Sequence, residues 1–495
     1  MRGGAVNHPL GGKTSIAVGV MLAILAVPYL SPRLERLRVA RAPWEKNISP
    51  DPTAVALAPT SVPVLTQGET KVKASENQAT ITNALPDVPV NAGAPGEPTK
   101  AKEAPPEEKA STPSKPTVGI EDPTGRALDA FYTQLAKTKR KEAGAITRVM
   151  HYGDSMVVSD YVSGTMRRRM HAEFGDAGHG FILTANPWEY YFHNDLVHGA
   201  SEGWSSSRVV GPLNRDAMYG LGGVTFTGTP GATAWFGTSD RTSYNRKVSR
   251  FDVYYLETEN GGDVDAKVDG KTERFSTKGP AGKKSAVKSI PCTDAEQKLT
   301  LRVVSGAPRI FGVVLERDTP GVVYDAIGLS GARAELWNGI DQNHFAEQMA
   351  LRKPSLVVLH FGTNESETGI ASVETYEKTV RTLVDKVKGA APNASILIVA
   401  PLDRAEKDDK GTMRTKPVIK KIVQAQKNVA AAAGVAFFNT FEAMGGEGTM
   451  ATWVRKGLAG SDLTHPSWQG AEIIGDLLFK ALMADFASWQ AKGGK

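Results

Sequence analysis

Three residues whose types together catalyse acyl transfer lie in two distant parts of the sequence: Ser155 in one, and Asp462 and His465 in the other. The three-residue spacing lets the carboxylate of Asp462 approach and orient the imidazole of His465 within one turn. An imidazole, with an ordinary pKa of about 6.5, can accept a serine proton during attack and then deliver it to a leaving alcohol. The residue types therefore predict a catalytic triad in which Ser155 is the nucleophile.

Each of these segments also has a purely structural interpretation. The tripeptide Gly153-Asp154-Ser155 is of a kind that is common in turns, and Ser461 or Asp462 could simply cap the helix that follows. The catalytic interpretation therefore depends on the elements that carry these residues.

The sequence around Ser155 predicts a strand, a sharp turn and a helix. Residues 145–152 are rich in β-forming side chains, and residues 158–174 show the apolar spacing of a helix. A serine between them would lie at the carboxyl end of a strand and beside the positive end of a helix. A developing oxyanion is stabilised at such a place.

Strands and helices alternate through the last third of the sequence. Residues 354–361 form a nearly continuous apolar run, as buried parallel strands do. The other predicted strands are residues 321–327, 395–400 and 435–438, and the predicted helices are residues 373–387, 418–432 and 467–483. This alternation, with short glycine-containing turns, predicts a doubly wound α/β sheet.

Four short blocks of this sequence resemble those of the SGNH (GDSL-like) hydrolase superfamily, in the same order. The blocks are Gly153-Asp154-Ser155, Gly331, Gly362-Thr363-Asn364 and Asp462-Leu463-Thr464-His465. The resemblance covers about residues 145–199 and 321–482. Residues 159–169 and 174–181 are similar to the branch that contains bacterial peptidoglycan O-acetylesterases. Met156 replaces the usual leucine of the block, which leaves the chemistry unchanged.

The resemblance implies a flavodoxin-like fold and three oxyanion donors: the backbone amides of Ser155 and Gly331 and the side-chain amide of Asn364. Gly328 is an alternative donor to Gly331, and Asn364 could instead be only a turn residue. His151 and His360 are interpreted as structural. No spacing of His, Cys or carboxylates matches a metal motif, so neither a metal nor another cofactor is predicted.

About 130 residues between the first and second blocks are too many for an ordinary connection and predict a separate domain. Short alternating segments there, with turns at Asn260-Gly261 and Asp269-Gly270, predict an all-β sandwich. A comparable insertion in the resembling branch is similar to a carbohydrate-binding module. Trp188, Tyr191 and Trp204 are therefore candidate sugar-stacking residues, with Tyr190 beside them. The alternatives are that these aromatics only pack and that the insert is only a scaffold.

An uncharged, largely apolar run from Thr14 to Pro32, flanked by Lys13 and Arg33, has the length of a membrane-spanning helix. It predicts a membrane anchor; a signal peptide and a buried core helix are the alternatives. The proline- and alanine-rich segment that follows is predicted to be a disordered linker. The predicted order is anchor or signal segment, linker, first hydrolase part, β insert and second hydrolase part: residues 1–46, 47–118, 119–187, 188–318 and 319–490.

The formal net charge of +6 is small for 495 residues and the basic residues are scattered, which argues against nucleic-acid binding. We expect a serine esterase that acts on O-acetyl groups of an envelope polysaccharide, such as peptidoglycan, or on small esters. The expected location is the periplasmic side of a bacterial-type inner membrane, or outside the cell after signal cleavage. An O-acetyltransferase and a non-catalytic glycan-binding protein are the alternative functions.

Overall fold

A computed structural model describes residues 118–188, 191–239, 242–280 and 282–494. Within these residues, no helix combines the length and the apolar character that a membrane crossing requires. The predicted anchor and all of the predicted linker except Val118 lie outside the described residues and stay predictions.

The part of the chain that carries Ser155, Asp462 and His465 is built on a sheet of five parallel strands. In chain order these are β1 (Ile146–Gly153), β13 (Gly321–Gly328), β14 (Leu356–His360), β15 (Ser395–Val399) and β18 (Ala436–Phe438). Their spatial order is β13-β1-β14-β15-β18. Counted as strands one to five, this is the order 2-1-3-4-5 of flavodoxin-like sheets. The predicted α/β class and strand positions are therefore confirmed.

Helices cover both faces of this sheet. On one face lie α1 (Asp129–Lys139), α3 (Tyr161–Phe174) and α11 (Trp468–Ala491), whose apolar residues pack together with Val149, Val358 and Leu397 of the strands. On the other face lie four helices: α4 (Ala334–Asn338), α5 (Gln342–Arg352), α7 (Val373–Ala390) and α8 (Pro417–Ala433). Four short helices complete the domain: α2 (Ser155–Val158), α6 (Thr363–Thr368), α9 (Thr440–Ala443) and α10 (Thr449–Arg455). A small hairpin joins β16 (Ala405–Lys407) to β17 (Met413–Thr415).

The insertion folds into two antiparallel sheets. The strands are β2 (Gly180–Leu183), β3 (Leu196–Ala200), β4 (Trp204–Arg208), β5 (Val224–Gly228), β6 (Thr233–Thr238), β7 (Val248–Glu257), β8 (Gly262–Val268), β9 (Lys271–Ser276), β10 (Lys284–Ala295), β11 (Lys298–Gly306) and β12 (Arg309–Glu316). One sheet has the order β10-β7-β12-β5-β4, with β2 also paired to β12, and the other has the order β3-β6-β11-β8-β9. Buried residues of both sheets, including Phe236 and Phe251, share one core, as in a sandwich. β2 lies before the predicted insert start at residue 188.

The carboxyl ends of three neighbouring strands, β13, β1 and β14, are in register. Gly153 of β1 pairs with Gly328 of β13 on one side and with His360 of β14 on the other. Residues that follow these strands within a few positions therefore emerge at the same edge of the sheet. In open α/β sheets this carboxyl edge is where ligands bind.

Candidate active site

Ser155 is the first residue of α2 and follows β1 after a single intervening residue. The N-cap residue Asp154 accepts a hydrogen bond from the backbone N–H of Met156 at 3.0 Å, which fixes the first turn. A β-carbon at Gly153 would lie 2.4 Å from Cγ2 of Val157 and 3.0 Å from the carbonyl oxygen of His360. The glycine therefore permits the sharp turn that presents the Ser155 hydroxyl.

His465 and Asp462 lie in a loop that its own backbone closes. Ala459 and Pro466 form an antiparallel bridge, and the N–H of Gly460 donates to the carbonyl of His465 at 2.8 Å. The side chain of Asp462 accepts hydrogen bonds from the backbone N–H of Thr464 and of His465, each at 3.2 Å. These bonds hold the carboxylate against its own imidazole, as the short spacing predicts. We call residues 459–466 the base loop.

The structure brings the three predicted catalytic side chains into one hydrogen-bonded chain. Oγ of Ser155 lies 2.8 Å from Nε2 of His465, and Nδ1 of His465 lies 2.5 Å from Oδ2 of Asp462. Burial tends to raise the pKa of Asp462, but the hydrogen bond and positive charge of His465 together with two backbone amides outweigh it, so the pKa is lowered. Asp462 is thus held ionised and can orient the imidazole toward Ser155.

The predicted oxyanion donors Gly331 and Asn364 lie on two segments that contact each other. Asn364, in the first turn of α6, donates its side-chain amide to the carbonyl of Ala332 at 2.9 Å. Gly331 has a φ of +74°, and the amide of Leu329 donates to the carbonyl of Gly153 at 3.1 Å. The loop that carries Gly331 is therefore attached both to α6 and to the strand before Ser155. Gly328, the alternative donor, is the last residue of β13.

A buried acid that the sequence analysis missed lies next to Asn364. Glu365 is 6 % exposed, and its Oε1 accepts the backbone N–H of Ala334 at 2.9 Å. Burial raises the pKa of Glu365 to about 7, with the nearby charge of Asp154 adding to the shift. The only sequence signal was an acid directly after the block Gly362-Thr363-Asn364.

His151 and His360 lie on neighbouring strands below the site. Their rings stack with centroids 5.4 Å apart, and Nδ1 of His151 lies 3.0 Å from the hydroxyl of Tyr324. Burial lowers the pKa of both imidazoles, that of His360 to about 4. Both rings are therefore neutral near pH 7, in agreement with a structural role.

The aromatic residues predicted to stack on sugars differ in exposure. Tyr191 is only 3 % exposed, and its hydroxyl accepts the backbone N–H of Leu183 at 2.9 Å. The expectation that Tyr191 is available to a glycan is therefore wrong, because its ring is packed in the core. Trp188 and Trp204 are half-buried, and the indole N–H of Trp204 donates to the carbonyl of Thr233 at 3.0 Å. Tyr190 lies outside the described residues.

One group of described side chains converges closely enough to hold a metal ion: Asp160, His179 and His193. Its three side chains take part in hydrogen bonds with one another or with their neighbours. Nε2 of His179 lies 3.2 Å from Nδ1 of His193, and Asp160 accepts hydrogen bonds from Arg167 and from the backbone N–H of Asn194. A cation there would also face the Arg167 guanidinium. The group fits a buried hydrogen-bond network better than a metal site.

Comparison with known proteins matches a family model to part of the chain and shows the fold. Residues 296–473 match the model of the GDSL-like Lipase/Acylhydrolase family, a range that includes Gly331, Asn364, Asp462 and His465 but not Ser155. No curated protein matches the chain. A solved structure titled "Peptidoglycan O-acetylesterase in action, 5 min" is similar, with a TM-score of 0.63 at 22% identity over 74% of this chain and 99% of that one.

Two further solved structures match more weakly. They are family two carbohydrate esterases from Clostridium thermocellum, in an active-site mutant, and from Cellvibrio japonicus. Their TM-scores are 0.25 and 0.23, at 12% and 14% identity over 59% and 58% of this chain and 99% of each of those chains.

Proposed function

Because the domain that completes the Ser155 site belongs to the SGNH (GDSL-like) hydrolase superfamily, near its peptidoglycan O-acetylesterase branch, we propose that this protein is a serine esterase. Its proposed substrates are O-acetyl groups on an envelope polysaccharide or on peptidoglycan. The observation that carries the proposal is the hydrogen-bonded chain from Ser155 through His465 to Asp462 at the carboxyl edge of the sheet. These are the contacts that a nucleophilic serine requires.

These contacts support the following order of steps. Oγ of Ser155 attacks the ester carbonyl while its proton passes to Nε2 of His465, and Asp462 stabilises the resulting imidazolium. The carbonyl oxygen becomes an oxyanion, which the amides of Ser155, Gly331 and Asn364 receive. The carbon–oxygen bond to the alcohol then breaks, and His465 returns the proton to that alcohol. Ser155 is left as an acetyl ester.

Deacylation repeats these steps with water. His465 removes a proton from a water molecule as it attacks the acetyl-serine, and the proton then returns to Oγ of Ser155 when acetic acid leaves and ionises to acetate in water. If a sugar hydroxyl replaces the water, the same acyl-enzyme gives acetyl transfer. The triad is common to both reactions, so hydrolase and transferase differ in the acceptor alone.

The polysaccharide substrate and the location extend the proposal. Support comes from the fold shared with a protein whose title names it a peptidoglycan O-acetylesterase, and from the β sandwich beside the catalytic domain. The proposed location is the periplasmic side of an inner membrane, behind the apolar N-terminal run. Such an arrangement would bring the enzyme to the polymer.

The direct experiment measures acetate released by the full chain from O-acetylated peptidoglycan and from a chromogenic acetyl ester, with and without a sugar acceptor. We expect release from both substrates and none above background with a folded Ser155→Ala protein. Acetyl transfer to the added sugar without acetate release would replace the esterase by a transferase. Binding of the polymer without any turnover would leave only a glycan-binding function.

A second experiment tests the docking role of the insert. Trp188→Ala and Trp204→Ala should lower kcat/KM for the polymer more than kcat/KM for the small ester, because remote contacts help to position only the larger substrate. The small ester is the control within each variant. An unchanged ratio in both variants would leave the insert as a scaffold.

A further inference from the structure

Arg404 lies between the two segments that carry the base and an oxyanion donor. Its Nε donates to the hydroxyl of Thr464 in the base loop at 2.8 Å. Its Nη1 donates to the carbonyl of Thr363 at 3.1 Å and to the hydroxyl of Ser366 at 3.0 Å, both in α6. The Arg404 side chain is 14% exposed. One guanidinium therefore spans from the base loop to α6.

The contact on the base loop lies directly beside the triad. Thr464 stands between Asp462 and His465, and its hydroxyl, besides accepting from Arg404, donates to the carbonyl of Asp462 at 3.1 Å. The N–H of Ala405 adds a backbone bond to the carbonyl of Leu463 at 3.0 Å. Leu463 has a φ of +60°, an unfavourable conformation for a leucine that its surroundings must hold. Movement here would shift the His465 imidazole relative to Ser155.

The contact on α6 lies directly before Asn364. Thr363 is the first residue of that helix, and its carbonyl also accepts the hydroxyl of Ser366 at 2.6 Å. The preceding residue, Gly362, has a φ of +129°, and a β-carbon there would lie 2.8 Å from Pro401. The start of α6 therefore packs against the segment that leads to Arg404. Arg404 holds this turn in place from the side of the base loop.

We propose that Arg404 is a positioning residue, which fixes the distance between the His465 base and the Asn364 oxyanion donor through its bonds to Thr464 and Thr363. This inference rests on the proposed esterase function. A guanidinium suits the task because its donors form a rigid planar fork, whereas the lysine ammonium is a single point on a flexible chain. The hydrogen bonds of Arg404 go to Thr464, Thr363 and Ser366, so it acts through the two segments.

The alternative is that Arg404 only stabilises the fold, through its ion pair with Glu367. Lys416 provides a matched control, because its Nζ also pairs with Glu367, at 2.8 Å. Lys416→Met removes a cation from that carboxylate but leaves Thr464 and Thr363 untouched. Arg404→Met removes a cation from Glu367 and both segment contacts together.

The first measurement compares kcat and KM of these full-length variants on a chromogenic acetyl ester. We expect Arg404→Met to lower kcat about 10- to 100-fold with little change in KM, since a small displacement of catalytic groups has effects of this size. Lys416→Met should stay within about twofold of wild type. Equal kcat in the two variants would overturn the positioning role.

A double-mutant cycle separates positioning from a general loss of structure. Thr464→Val removes the hydroxyl that accepts from Arg404, and Thr464→Ser restores a hydroxyl. If Arg404 acts through Thr464, the losses in kcat of Arg404→Met and Thr464→Val are not additive, and Thr464→Ser stays near wild type. Fully additive losses would contradict the proposal.

Two further variants guard against misfolding of Arg404→Met. Arg404→Lys keeps the charge without the fork and should recover only part of kcat, whereas added guanidinium ion should raise the kcat of Arg404→Ala more than added methylammonium does. No difference between these cations would overturn the proposal. If wild-type protein does not turn over the ester at all, the proposed function itself fails, which is distinct from an active enzyme that is insensitive to Arg404.

Discussion

Gly331 presents its backbone amide from a conformation that other residues adopt only with strain. Its φ is +74°, and an added β-carbon would meet no atom within 4 Å, so backbone strain is the obstacle to an alanine there. Relief of this strain would rotate the peptide and move the amide from the oxyanion. The position therefore tests whether the amide orientation matters for catalysis.

We expect Gly331→Ala to lower kcat on a small ester at least tenfold, because misaligning one oxyanion donor forfeits part of the about 3 to 4 kcal/mol that a donor contributes. Gly270→Ala, in the turn between β8 and β9, is the matched control, with a φ of +72° and equally open surroundings. Both variants should lose about 1 to 2 kcal/mol of folding stability from strain. If Gly331→Ala loses as much stability as Gly270→Ala but keeps the wild-type kcat, the Gly331 amide is not an oxyanion donor. Gly328 would then be the alternative donor.

Glu365 gives the stability a predictable pH dependence. Its pKa is about 7 in the folded chain, against an ordinary 4.5. Between these values the unfolded chain ionises while the folded chain keeps its proton, so stability falls as pH rises. Relative to Glu365→Gln, wild type should lose roughly 3 kcal/mol of unfolding free energy from pH 4.5 to 7.

Denaturant titrations across this pH range test the prediction. Glu335→Gln, which removes a more exposed carboxylate from the same cleft, is the control and should keep the wild-type slope. Parallel curves for wild type and Glu365→Gln would show that the folded acid is not perturbed.

At the residue scale, the sequence alone predicted the side chains with distinctive chemistry. It did not predict the residues whose roles depend on contacts with distant parts of the chain. Asp462 and His465 are close in sequence, so their contact was predictable. Arg404 and Glu365 are ordinary charged residues whose roles depend on partners about 30 to 60 positions away, such as Ala334 and Thr464. Tyr191 looked like a surface aromatic because nothing local signals that its hydroxyl is bonded in the core.

At the scale of elements, the parallel strands were predictable because buried strands read as continuous apolar runs. Several insert strands were not. β4 consists of Trp204-Ser-Ser-Ser-Arg208 and β9 is exposed along most of its length, so neither shows a clear alternation. β10 is long and largely polar, so its sequence does not indicate a strand. It is held in the sheet by its antiparallel pairing with β7.

A buried ion network joins the last strand of the insert to the catalytic sheet. Arg352, at the end of α5, donates to both carboxylate oxygens of Asp325 in β13, at 2.7 and 2.9 Å, and also pairs with Glu316 in β12. Arg352 is 3 % exposed, and the two acids are less exposed still. Removing the guanidinium would leave two buried carboxylates without their shared partner.

Arg352→Met should therefore lower the unfolding free energy by roughly 3 to 5 kcal/mol. Arg381→Met, which breaks an exposed ion pair with Asp385 on α7, should cost less than about 1 kcal/mol. Chemical denaturation of both variants measures the difference. Similar losses would mean that the network does not couple the two domains energetically.

At the scale of the whole molecule, the insert and the catalytic domain are not separate globules. Core residues of the sandwich, such as Phe226 and Leu301, belong to the same buried cluster as Trp337 and Phe345 on one face of the parallel sheet. A rigid junction would keep a glycan held on the insert at a constant distance from Ser155. The insert could then contribute to catalysis on a polymer without contacting the ester.

The apolar N-terminal run from Thr14 to Pro32 is expected to attach the whole molecule to a membrane. Deletion of Met1–Arg41 should move the protein from the membrane fraction to the soluble fraction and leave kcat/KM for a small ester unchanged, because every described contact of the triad lies beyond residue 150. Fractionation and ester kinetics of both forms are the measurements. A folded, truncated protein with reduced kcat/KM would give the segment a role in catalysis.

The central claim is that Ser155 is a nucleophile activated by His465. The most direct measurement is stoichiometric reaction of the full chain with a serine-directed fluorophosphonate, followed by mass spectrometry of the peptide that contains Ser155. We predict one adduct, on Ser155, formed together with loss of ester turnover, and formed at least about 100-fold more slowly in His465→Ala. An adduct on another residue, or equal labelling rates with and without His465, would contradict the account.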